Sequence, residues 1–129
     1  MNSVMDVTPL VKDGAQIIQS YAGGRFRVSG DLYESAIIVS AEDTVPWGGV
    51  STFDALGAAD FQPLIDDASN IDVVLMGTGA QMQFLPAPLK KTLREQGLSI
   101  DVMDTGAACR TYNVLMAEGR RVTAILLPV

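Results

Sequence analysis

The sequence contains no histidine, a single cysteine and only one tryptophan. Without an imidazole to relay the proton, Ser-His-Asp and Cys-His catalysis are excluded. The commonest ligand of catalytic zinc is missing too, and Cys109 is the only thiolate on offer, so no metal or other cofactor is expected. Any acid–base chemistry would rest on carboxylates, lysine, tyrosine or Cys109. A lone cysteine makes no internal disulfide, which fits a reducing compartment and sets cytoplasmic as the expected location.

Positive charge is also scarce. Nine Lys and Arg stand against 15 Asp and Glu, a net charge of −6, the wrong balance for tracking a nucleic-acid backbone. The basic residues gather locally as Lys90, Lys91 and Arg94 and again as Arg110, Arg120 and Arg121, which leaves room for a protein partner or one small anion. Met1 to Leu10 has no basic stretch leading into an apolar core, so no secretory signal is expected. The longest apolar runs, such as Thr123 to Val129, are too short to span a bilayer, and the chain is not expected to be membrane-embedded.

What is present reads as an ordinary globular protein. At 129 residues with 48% hydrophobic content, the expectation is one domain, 1–129, able to bury a core without disulfides. Ile17 to Tyr21 and Arg25 to Val28 flank Ala22-Gly23-Gly24 and predict a β-hairpin. Ala36 to Val39 is a β-branched run suited to a buried strand. Glu42 to Gly49 reads as a loop, Val50 to Phe53 as a short strand, and Asp60 as the N-cap of a helix presenting Phe61, Leu64, Ile65 and Ala68. Ile71 to Met76, Ser99 to Met103 and Val122 to Leu127 read as strands. Between them, Pro88 to Gln96 and a stretch from Asp104 or Thr105 to about Glu118 read as helices. That alternation predicts a three-layer α/β fold. Its central sheet is mixed but mostly parallel, with helices on both faces and an N-terminal hairpin.

Ligands of open α/β sheets sit beyond the carboxyl ends of the strands. Two bends fall there, Gly77-Thr78-Gly79 and Met103-Asp104-Thr105-Gly106, each read as leading into a helix whose free N–H groups suit an anion. The plainer account is that the glycines only let the chain turn. Arg110, Tyr112 and Asn113 could line a pocket with Asp104 and Thr105. Alternatively they form an internal network, with Asp104 pairing Arg110, that pins the helix to the sheet. Cys109, beside Arg110 in the first helical turn, is either an activated thiolate or a small buried hydrophobe. Asp66 and Asp67, and Glu42 and Asp43, read as solvated surface. Trp47 reads either as an interface anchor or as a cap on the core.

The block Met103 to Val122 is distinctive, with its run Asp104-Thr105-Gly106-Ala107-Ala108-Cys109-Arg110-Thr111-Tyr112-Asn113. Taken with Ser20-Tyr21, Phe26-Arg27-Val28-Ser29-Gly30, Pro46-Trp47 and Leu75-Met76-Gly77-Thr78-Gly79, it resembles the Mth 938-like domains of unknown function. That family also holds the third mitochondrial assembly factor of respiratory complex I. The likeness runs from about Ile17 onward, with Ala22 and Ser35 standing where the family more often has glycine. It implies a compact α/β fold with a central mixed sheet, no established catalytic activity and a role in assembly; it supplies no agreed active-site residues to carry over. The leading expectation is therefore a non-catalytic interaction protein with a protein partner, monomeric or homodimeric, helping to assemble a respiratory or membrane-associated complex. The alternative is a binder of small anionic metabolites, or an enzyme, using Gly77, Thr78, Gly79, Asp104, Thr105, Arg110, Tyr112 and Asn113. Thiol redox sensing through Cys109 is a third.

Overall fold

Two adjacent glycines decide the first element. Gly23 and Gly24 hold φ values of 61° and 77°, the positive pair that a two-residue hairpin turn needs to match strand twist. They join β1 (Ile18–Ala22) to β2 (Arg25–Val28), where Phe26 and Val28 are buried and Arg25 and Arg27 exposed. A second tight turn, with Ser29 at φ 45° and Gly30 at 91°, leads into β3 (Asp31–Tyr33). The hairpin expected from the sequence is thus part of a three-stranded antiparallel sheet. The computed structural model describes residues 14–129; the stretch Met1 to Leu10 lies outside them.

The central sheet has the order β5-β4-β8-β6-β7, formed by β4 (Ile37–Ser40), β5 (Thr44–Pro46), β6 (Val73–Gly77), β7 (Ile100–Met103) and β8 (Val122–Leu126). β6 pairs in parallel with both β7 and β8, while β4 runs antiparallel to β8 and to β5. The sheet is mixed, and its parallel part is made by the two crossovers through α2 (Ala87–Glu95) and α3 (Thr105–Ala117).

Strand alternation sends successive side chains to opposite faces, and each face buries its own core. On one face Ile37, Val39, Leu75, Val122, Ala124 and Leu126 pack with Ala108, Cys109, Tyr112 and Met116 of α3 and with Ile18, Phe26 and Val28 of the small sheet. On the other, Val74, Met76 and Ile125 pack with Leu93 of α2, with Trp47 and with Phe61 and Leu64. Each fully buried large aliphatic or aromatic side chain contributes about 1.5–3 kcal/mol, so covering both faces is what holds the three layers together.

The segment between β4 and β6 departs from the sequence reading. Part of the expected loop Glu42 to Gly49 is β5, a short edge strand whose end at Pro46 cannot donate further along a ladder. The expected strand Val50 to Phe53 is absent; Phe53–Ala55 and Ala58–Phe61 are 3-10 turns. Asp60 does not cap α1 (Gln62–Asp66): its carboxylate accepts from the Gly57 N–H at 2.8 Å, and Phe61 holds the N-cap position. Ala68 falls in the 3-10 turn Ala68–Asn70 rather than in α1. Even so Phe61, Leu64, Ile65 and Ala68 all reach the core, because the 3-10 turns keep the apolar side inward. Trp47 is a core residue, 2% exposed. Its ring meets Phe61 edge-on at 5.5 Å, and its Nε1 donates to the Asp60 carbonyl at 2.7 Å.

One close approach brings β6 and α3 together. A Cβ on Gly77 would lie 2.8 Å from the Thr105 Cα and 2.9 Å from its Oγ1, so any side chain there would force strand and helix apart. Gly77→Ala is expected to cost about 1–3 kcal/mol, the usual penalty of forced overpacking, read as a fall in the urea midpoint. Gly48→Ala, whose methyl meets nothing within 4 Å, should move the midpoint by about 0.5 kcal/mol or less. Equal effects from the two substitutions would contradict the contact.

Candidate functional site at the carboxyl edge of the sheet

β6 and β7 end side by side, so the two glycine-bearing bends are neighbours. Both are tied by backbone bonds: the Thr78 N–H donates to the Met103 carbonyl at 2.9 Å, and the Thr105 N–H to the Gly79 carbonyl at 2.8 Å. The Thr105 hydroxyl, fully buried, accepts from the Gly79 N–H at 2.9 Å and donates to the Leu127 carbonyl at 2.7 Å. The Thr78 hydroxyl donates to the Gln81 carbonyl at 2.7 Å and accepts from the Gln83 N–H at 3.0 Å. Gly77, Thr78, Gly79 and Thr105 thus bond to one another, to Met103, to Gln81 and Gln83 just beyond the first bend, and to the exit of β8. Only the second bend leads straight into a helix; residues 80–86 separate Gly79 from α2.

The start of α3 is capped from within. The Asp104 side chain accepts from the Ala107 N–H at 2.9 Å, as an N-cap carboxylate should. Arg110 makes no ion pair with Asp104 among the described residues. It is exposed, and its Nη1 donates to the Tyr21 hydroxyl at 2.6 Å. The Tyr21 ring lies over Gly106, where a Cβ would come within 2.9 Å of the phenol oxygen.

The next turn of α3 holds the N-terminal sheet. Tyr112 is fully buried and donates to the Gln16 carbonyl at 2.8 Å. Asn113 accepts from the Ile18 N–H at 2.9 Å and donates to the Ile18 carbonyl at 2.8 Å. Its amide thereby serves β1 as a one-residue strand partner, satisfying both backbone groups of Ile18. Tyr112 and Asn113 therefore bond to β1 and the segment before it, whereas Thr105 bonds to the first bend and the exit of β8, and Asp104 to its own helix. Cys109 is buried in the core under α3. Desolvation pushes its thiol from 9.0 up to about 12; Arg110 opposes that rise and Asp104 adds to it. A thiol held neutral is a poor nucleophile and a poor metal ligand. Among the described residues no group of three or more acidic or cysteine side chains is arranged to hold a metal ion.

A sizeable open space lies at the other end of the sheet, and the sequence reading did not point to it. A groove of about 560 Å³ runs beneath the start of β8, lined by Ile71, Met116, Thr123, Glu42, Asp67 and Arg120 among others. Its visible signal was the pair Arg120 and Arg121 after α3. Arg121, however, is bound to Asp72 at 2.8 Å, and the hydrogen bond from Arg121 holds the Asp72 carboxyl below its ordinary range.

This arrangement is that of the Mth938-like domains. A Bordetella pertussis protein described as a Mth938-like domain, solved by NMR, superimposes with a TM-score of 0.77 at 28% identity, covering 91% of this chain and 88% of its own. The chain belongs to the family described as a protein of unknown function (DUF498/DUF598), whose model matches residues 18–127. An uncharacterized protein of Rhodobacter capsulatus is 38% identical over 90% of this chain and 87% of its own length. The Xenopus tropicalis NADH dehydrogenase [ubiquinone] 1 alpha subcomplex assembly factor 3 is 27% identical over 95% of this chain, which spans 67% of that factor.

Asn113→Ala strips both partners from Ile18 and is expected to cost about 2 kcal/mol, with faster amide exchange at Ile18; unchanged exchange there would contradict the bond pair. Cys109 sets an alkaline limit. Its thiol ionises near 9.0 when unfolded but only near about 12 when folded, so its contribution is whole below pH 9.0 and is lost as pH rises towards 12. Stability of the native chain should fall through that window more steeply than that of Cys109→Ala, measured as urea midpoint against pH. Parallel curves would place the thiol in solvent.

Proposed function

We propose that this chain is a non-catalytic interaction protein that assists assembly of a respiratory complex, acting from the cytoplasm through a protein partner. The observation that carries the reading is the match along nearly the whole chain to a protein named as an NADH dehydrogenase assembly factor. The chemistry of the carboxyl edge supports it. Gly77, Thr78, Gly79, Asp104, Thr105, Tyr112 and Asn113 are assigned to holding the fold, since each is engaged inside it. Arg110 keeps one exposed face beside Tyr21. The thiol is sequestered. No helix among the described residues is long and apolar enough to cross a membrane.

Deleting the gene in the native cell tests this. The amount of fully assembled NADH dehydrogenase on native gels is expected to drop several-fold. A tagged copy expressed from its own promoter is expected to co-purify subunits of that complex in mild detergent. Unchanged complex levels together with no stable partner would sink the reading.

A further inference from the structure

The central sheet has two outer strands, and they are treated differently. β5 is three residues long and ends at Pro46, two of the usual devices that stop an edge from pairing with another chain. β7 has neither proline nor lysine, and among the described residues pairs with β6 alone. Its outer edge therefore offers a row of backbone N–H and C=O groups with no strand partner among the described residues.

A trough accompanies that edge. Ile100 and Val102 project towards the α2 face, and together with Leu85 and Phe84 they line a cleft of about 60 Å³. A second cleft of about 200 Å³, sharing Leu85, Lys90 and Ile100, continues it along the strand. Phe84 is 74% exposed and stands at this apolar cleft rather than singly on the surface. Lys90 and Arg94 line the trough from α2 and make no ion pair among the described residues. Asp101 is the one acidic residue at its margin, and strand alternation assigns its side chain to the opposite face from Ile100 and Val102. In a chain of net charge −6, this is a local patch of the opposite sign.

We propose that the outer edge of β7 is a docking site for an extended segment of a partner protein. The segment adds as a sixth strand; from the one face it turns towards α2 it sets apolar side chains on Phe84, Leu85, Ile100 and Val102 in one half and presents acidic side chains to Lys90 and Arg94 in the other. Strand addition takes affinity from main-chain bonds and specificity from the pockets under alternate side chains, and both components are present here. A second copy of this chain fits less well. Pairing β7 with its own copy about a two-fold axis normal to the sheet keeps both α2 helices on one face, which brings Lys90 and Arg94 towards the same residues of the copy. That is like-charge contact. The proposal rests on the interaction reading above and names the surface it uses.

The test uses the full chain, isotopically labelled, and a synthetic blocked peptide of about eight residues with threonine at every second position and, at the positions that share the other face, valines in one half and glutamates in the other, beside a control with lysine for glutamate. The acidic peptide is expected to shift and protect the amides of Ile100 to Met103, and the control is not. The exposed-site variant Lys90→Glu/Arg94→Glu should weaken that binding by about tenfold or more while leaving the remaining amide spectrum in place. Equal binding of both peptides, perturbation elsewhere only, or none at all overturns the site. So does concentration-dependent protection of β7 without peptide, which would mark the edge as a homodimer seam. In native capture, Phe84→Asp with Lys90→Glu and Arg94→Glu should lose the partner that wild type retains. Retention by the variant rejects this surface and leaves the interaction reading intact, whereas capture of nothing by wild type rejects the interaction reading itself.

Discussion

The Thr105 hydroxyl sits where three strand ends meet, and the architecture around it depends on the bonds it makes. It accepts from the exit of β6 at Gly79 and donates to the exit of β8 at Leu127, while its own N–H closes on Gly79. Buried backbone groups at strand ends have no ladder partner and no water, so each needs a substitute or costs about 1–3 kcal/mol. A single hydroxyl supplies two of those substitutes. It can do so only because Gly77 has no Cβ and lets the first residue of α3 lie against the strand. The same contact fixes where α3 begins, and hence where Tyr112 and Asn113 meet the N-terminal sheet.

Much of this was legible in the sequence. The β-branched run at Ile37 to Val39, the Gly23-Gly24 turn and a helix cap at Asp104 or Thr105 are local signals, and the structure uses each locally, with Asp104 as the cap. The alternation of strands and helices from Ile71 onward announced the parallel part of the central sheet with helices on both faces; its mixed character, expected from the hairpin, comes instead from β4 and β5. The segment from Glu42 to Asn70 was legible only in its short helix and the apolar residues around it, because the rest of its order is not periodic. β5 is three residues long, and the helical part of the segment is broken into 3-10 turns. Its apolar residues reach the core from three short pieces rather than from one face. Neither a 3.6-residue nor a two-residue period can announce such a segment.

The candidate site shows a different limit. Residue types and spacing pointed to Asp104, Thr105, Arg110, Tyr112 and Asn113, and those residues do concentrate polar interactions. What spacing does not encode is the partner. Asn113 meets Ile18 across 95 residues of sequence, and Tyr112 meets Gln16 across 96. A polar cluster that lines a cavity and one that fastens a sheet look alike in one dimension. They differ only in whether the opposing groups belong to the same chain.

The topology bears on the crevice that open α/β sheets form at this edge. β6 leaves through α2 on one face of the sheet, and β7 leaves through α3 on the other. Between two such strands the connections diverge, which is where open α/β sheets form a ligand crevice. Here the divergence is closed by bonds between the two bends, Thr78 to Met103 and Thr105 to Gly79, and roofed by the close approach at Gly77. With that opening zipped, the polar groups at the sheet's carboxyl end are already committed to one another. Backbone without a strand partner among the described residues runs instead along the outer edge of β7, where the crossover through α2 has placed a basic helix beside it. The same threonine and glycine that give the fold its rigidity therefore move recognition from the end of the sheet to its side.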